Sequence, residues 1–189
     1  FRQMFEAGSN IDSVFSIWLK SLYWEGKTVE ALALANEILS LTKSGRPWLD
    51  AMVVKTLCLA RNGDTNGASA TLDQINSPPD DTPEAGMVGY TQAIVQMGQN
   101  NLDKAQESLA RLITFRSRDF EWMPAALYLS ATGYARVGEA YVARQIVNEI
   151  KLNHPMTRWA RQAESLNIEA LLPAPREADS ADLITPQAP

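Results

Sequence analysis

The chain has 189 residues, 46% of them hydrophobic and 21% charged, with a formal net charge of −5. That is enough for one domain with a substantial core, or for a short solenoid whose core runs along its length. The acidic balance argues against a surface that attracts phosphate backbones without regard to sequence, and no apolar run approaches the roughly 18 residues that span a membrane. The lone cysteine, Cys58, cannot form an intrachain disulfide; within VVKTLCLA it reads as a small buried hydrophobe. The chain opens on Phe1 rather than Met. A signal peptide or membrane anchor upstream is compatible with that, and the compartment stays open between cytoplasm and periplasm.

In chain order, residues 1–10 read as a lead-in, 11–172 as a helical repeat domain and 173–189 as a disordered tail rich in Pro, Ala and acidic residues. The first helix is IDSVFSIWLKSLYW, with Ser9 or Asn10 placed to cap it and Asp12 in its first turn. Gly26 ends it, and TVEALALANEILSL comes next with helical apolar spacing. Pro47 sits at the start of the next helix, which runs through WLDAMVVKTLCLA to Gly63, and a partner lies around GASATLDQI. Pro78, Pro79 and Pro83, with Asp80, Asp81 and Thr82 between them, predict an extended connection inside one array. Two further hairpins come after it, PEAGMVGYTQAIVQM with LDKAQESLARLI and MPAALYLSATGYARV with EAYVARQIVNEI. A last, unpaired helix over 156–172 suits a solubilising cap, with Arg158, Arg161, Gln162, Glu164 and Glu169 facing outward.

The repeat is carried by alanine. Ala31, Ala68, Ala105 and Ala143 succeed one another at steps of 37, 37 and 38, each five residues after a turn residue: Gly26, Gly63, Asn100 and Gly138. Alanine is required where two helix axes approach closely, and glycine tolerates the left-handed backbone that ends a helix. A period of this size with helices on both sides of a tight turn indicates stacked helical hairpins.

On these residues the chain resembles the tetratricopeptide repeat proteins from about Asp12 to Pro155, with repeats near 12–45, 47–81, 84–117 and 122–155. Pro155 falls at the closing proline of the fourth repeat, and Pro79 lies one residue from that place in the second. The motif's small first-helix residue is matched by Thr56, Ala93 and Ala131, with Leu19 in its place in the first repeat. Its tryptophan is replaced by Phe15, Met52, Gly89 and Leu127, and the spacing exceeds the usual period of about 34. The resemblance implies an all-α fold: a right-handed α-α superhelix of about four hairpins plus the cap helix.

No catalytic constellation is visible. His154, between Asn153 and Pro155, reads as a loop or capping residue, since no Cys or second His stands at ligand spacing. GDTNG lacks the Lys-Ser/Thr of a phosphate loop. The basic cluster Arg111, Arg116 and Arg118 reads as a solvated helix end. No cofactor, metal or nucleic-acid partner is expected.

In the family the first helices line the concave surface. The resemblance therefore places Ile17, Lys20, Tyr23 and Trp24, then Val53, Val54, Leu57 and Arg61, inward. The third and fourth hairpins contribute Tyr90, Thr91, Ile94 and Met97, then Tyr128, Leu129, Thr132 and Arg136. Members that grip a terminal carboxylate use Lys and Asn there, whereas these positions are mostly apolar or aromatic. The expectation is a protein-interaction module that holds a partner peptide or amphipathic helix in an apolar groove, as a scaffold, adaptor or holding chaperone. The same stripe is equally readable, residue by residue, as packing between helices. A structural spacer or self-association domain of a larger envelope or multidomain protein is the alternative, and an enzyme the remote one.

Overall fold

The computed structural model describes residues 9–115 and 121–174. Among them are nine α-helices and no strand. They form four antiparallel pairs: α1 (Ser9–Trp24) with α2 (Thr28–Leu41), α3 (Gly45–Arg61) with α4 (Thr65–Leu72), α5 (Pro83–Gly98) with α6 (Leu102–Phe115), and α7 (Trp122–Arg136) with α8 (Ala140–Asn153). A short α9 (Arg158–Glu164) and a 3₁₀ turn (Glu169–Leu171) complete the described chain. Each helix packs on its hairpin partner, and each first helix also packs on the first helix of the next hairpin, α1 on α3, α3 on α5, α5 on α7 and α7 on α9. No described helix is long and apolar enough to cross a membrane.

One turn design is used four times. Gly26, Gly63 and Gly138 have φ near +81°, +82° and +91°, and Asn100 joins them at +58°. At each site the positive-φ residue donates its N–H to the carbonyl three residues back, and the next residue donates to the carbonyl five back. The pairs at Gly63 are Gly63 to Ala60 at 3.1 Å and Asp64 to Leu59 at 3.0 Å; at Asn100 they are Asn100 to Met97 at 3.1 Å and Asn101 to Gln96 at 2.8 Å. This closes the last carbonyls of the helix and reverses the chain. No atom lies within 4 Å of where a Cβ on Gly63 would stand, so Gly63→Ala tests the backbone alone. It should cost about 1–2 kcal/mol in urea melting, while Asn100→Gly should leave the midpoint unchanged or raise it. An unchanged midpoint for Gly63→Ala would contradict this account of the turn.

The turn also fixes the register of the second helix in each hairpin. Ala31, Ala68, Ala105 and Ala143 donate their N–H groups to Lys27, Asp64, Asn101 and Glu139, the residue after the turn in every case. All four alanines are at most 1% exposed. The first-helix residues Leu19, Thr56, Ala93 and Ala131 are likewise sealed at 0%. Thr56 solves its burial by donating its hydroxyl to Met52 O at 2.8 Å.

Three expectations are corrected. Ser9 and Asn10 lie inside α1 instead of capping it. The helix α4 stops at Leu72, short of the end of the GASATLDQI run expected to be helical. The cap helix does not run over 156–172. It ends at Glu164, Leu166 and Ile168 tuck into an apolar cluster with Ala135 and Ala143, and the Asn167 side chain accepts from Ala170 N at 3.2 Å to start the 3₁₀ turn. Burying two aliphatic side chains outweighs two further turns of exposed helix. The lead-in up to residue 8, Arg116, Arg118 and the tail from residue 175 lie outside the described residues.

Candidate functional site

The first helices meet α9 around a cavity of about 330 Å³. Tyr23 and Trp24 come from α1, Leu57, Ala60 and Arg61 from α3, Tyr90 and Ile94 from α5, and Tyr128 and Leu129 from α7. Arg158, Trp159 and Gln162 of α9 complete the wall. The rings form a continuous cluster. Trp24 stands 6.1 Å from Tyr90, 5.8 Å from Trp122 and 5.4 Å from Trp159, centroid to centroid, the last edge to face at 87°. Trp159 also lies 5.4 Å from Tyr128. The first hairpin therefore touches the fourth and the terminal helix through side chains. An ion pair between Lys20 Nζ and Glu121 Oε2 at 3.1 Å adds a second such contact.

Eight of the sixteen residues expected on the concave stripe meet at this cavity: Tyr23, Trp24, Leu57, Arg61, Tyr90, Ile94, Tyr128 and Leu129. The other eight, Thr132 among them, do not line it. Val53 is 0% exposed and Met97 9%, packed between helices; Lys20 is engaged with Glu121; Arg136 is exposed at the end of α7, away from the cavity. Val54 and Thr91 are sealed as well, and Ile17, expected inward, is 64% exposed. Neighbouring first helices pack over most of the stripe and leave space where α9 approaches.

Sequence reasoning missed Ala60, Arg158, Trp159 and Gln162, and turned Arg158 the wrong way. Its guanidinium carbon sits 3.7 Å from the centroid of Trp24 and 5.0 Å from that of Trp159. A usable signal existed. Trp159 and Ala163 repeat the four-residue spacing of Leu127 and Ala131, with Trp159 7% and Ala163 2% exposed.

The site's electrostatics derive from burial. Arg61 stacks on the Tyr23 ring at 4.2 Å and donates from Nη1 to Tyr23 O at 2.7 Å. Desolvation depresses the Arg158 pKa, and repulsion from Arg61 adds to it, against the opposing charge of Glu121. Desolvation also pushes the Tyr90 hydroxyl well above the usual tyrosine range, as it does more weakly for Tyr23 and Tyr128. Nearby, Cys58 is buried and desolvation raises its thiol to about 11, which keeps it protonated and unreactive at neutral pH. Among the described residues no group of three or more His, Cys, Asp or Glu could hold a metal ion.

Two other surface features stand out. A second cavity of about 300 Å³ lies between α5 and α6 and is lined by both partners of the Arg111–Asp80 ion pair. On α1, Val14, Ile17 and Trp18 form an exposed apolar row at spacing i, i+3, i+4. No family model, no curated protein and no solved structure matches this chain.

Proposed function

We propose that the chain is a non-enzymatic protein-interaction module. Its hairpins would form a tetratricopeptide-like right-handed superhelix, and its concave face would hold a partner peptide or amphipathic helix. The observation that carries this reading is the half-open, aromatic-walled cavity built by first helices of all four hairpins together with α9. Central aromatic and aliphatic anchors in such pockets supply most of an interface's binding energy. The adaptor, scaffold and holding-chaperone roles all draw on this one property.

Ile94 is the residue to test, because it is half-buried and lines the cavity. In Ile94→Glu the new carboxylate shares a cavity with Arg61 and Arg158, so helicity should survive while apolar anchoring is lost. Wild-type protein should enrich a common set of sequences from a displayed random-peptide library, and Ile94→Glu should enrich none of them. A variant with unchanged circular dichroism that selects the same peptides would remove the reading.

A second reading, a spacer or self-association domain, is favoured by one observation. Val14, Ile17 and Trp18 are 61%, 64% and 48% exposed along one side of α1. Sedimentation velocity across a concentration series decides it: a dimer abolished by Ile17→Glu supports it, and a monomer at all concentrations rejects it.

A further inference from the structure

We propose that the cavity between Arg61 and Arg158 is a binding site for a small organic acid, a flat apolar body bearing a carboxylate or phosphate. This goes beyond the protein-partner reading and does not depend on it.

Three observations converge on this ligand. The first is unpaired positive charge. Arg46, Arg111 and Arg144 each pair with a carboxylate. Arg61 and Arg158 line one cavity, and neither has a carboxylate within ion-pair distance among the described residues. The chain carries 22 acidic side chains, yet none lines this cavity. Each guanidinium carbon stands over a ring, and a guanidinium has five N–H donors to offer, of which Arg61 gives one to Tyr23 O. Holding two like charges in a partly desolvated space costs free energy that a bound anion offsets.

The second is unpartnered hydroxyls. Tyr23 and Tyr90 are each 4% exposed and line the cavity, and neither hydroxyl has a hydrogen-bond partner among the described residues. Buried donors of this kind are normally satisfied. Tyr90 lines the same cavity as Arg61 and Arg158.

The third is shape. Apart from Gln162, the remaining wall is apolar and aromatic, with Leu57, Ile94, Leu129, Tyr128 and Trp159. A volume of about 330 Å³ falls in the range of small-molecule pockets. Val53 and Met97 are sealed and α9 stands across one side, so the space is bounded enough for a compact ligand.

The test uses calorimetric titration of the full chain with 2-naphthoate, 2-naphthyl phosphate and the neutral 2-naphthamide. At least one of the two anions should bind at one site about tenfold or more tighter than the amide, the size of effect that charged hydrogen bonds give. The tighter of the two assigns the head group. Arg61→Gln and Arg158→Gln should each weaken the anion about tenfold and leave the amide unchanged. Arg158→Lys, which keeps the charge, covers the case in which the glutamine variant does not fold. Tyr90→Phe should weaken the anion without lowering the stability of the free protein, because its hydroxyl has no protein partner to lose. Equal binding of anions and amide, no binding of either anion, or anion affinity indifferent to both arginine substitutions would each overturn the proposal.

Discussion

Replacing Trp159 by alanine should lower stability by about 3–5 kcal/mol, the usual cost of truncating a buried tryptophan. Trp159 is 7% exposed and meets Trp24, Tyr90 and Tyr128, residues of three different hairpins. Its loss removes the side chain that seats α9 and opens the cavity from one side. It also strips one of two rings from the Arg158 guanidinium, leaving a half-buried charge less well covered. Because α9 is only seven residues long, it has little helical stability of its own and depends on this docking. Denaturant unfolding followed by far-UV circular dichroism measures the effect, and the near-UV aromatic signal should weaken with it. Met156→Ala is the control: Met156 is 91% exposed, and its replacement should shift stability by less than about 0.5 kcal/mol. A Trp159→Ala protein as stable as the control would mean that α9 is not docked.

Leucine at Ala68 or Ala105 should cost about 1–3 kcal/mol each by overpacking. Both alanines lie in the first turn of a second helix, directly after the left-handed residue, where the two helices of the hairpin are closest to their shared turn. Their side chains are at most 1% exposed, so three added carbons displace neighbours and find no solvent. Since the turns at Gly63 and Asn100 fix the backbone on one side, the strain has to be taken up in the helix pair. Wild-type urea midpoints in both variants would place these alanines off the helix crossings and undo the repeat register. The two sites belong to different hairpins, so the double variant should show roughly additive losses.

The repeat was legible because local rules write it. A left-handed residue ends each first helix, and a small residue five positions later allows close approach; both leave a mark in a single sequence. Asn100 is instructive: it stands in for glycine by residue type and adopts the same positive φ. The connection at Pro78 and Pro79 was legible for the same reason. Two features were not. Residues such as Val53 and Ile94 are both apolar first-helix positions, and periodicity cannot say that one is sealed between helices while the other borders a cavity. That division depends on how successive first helices pack on one another, a long-range property. Near the end of the chain the helical pattern of the sequence continues past Glu164, whereas burial of Leu166 and Ile168 turns the backbone aside. Arg158 carried the ambiguity of any arginine: its stem and planar head can cover rings as readily as face water.

The central claim is that binding happens at the concave cavity and not on another apolar surface. The indole N–H resonances test this directly. Trp24 and Trp159 line the cavity, Trp122 packs behind them, Trp18 is exposed on α1, and Trp48 lies at the start of α3. During titration with a peptide selected by the wild-type protein, the Trp24 and Trp159 signals should shift together and saturably, while Trp18 and Trp48 stay in place. Movement of Trp18 with Trp24 and Trp159 unmoved would contradict the account and transfer the interaction to the outer row of α1.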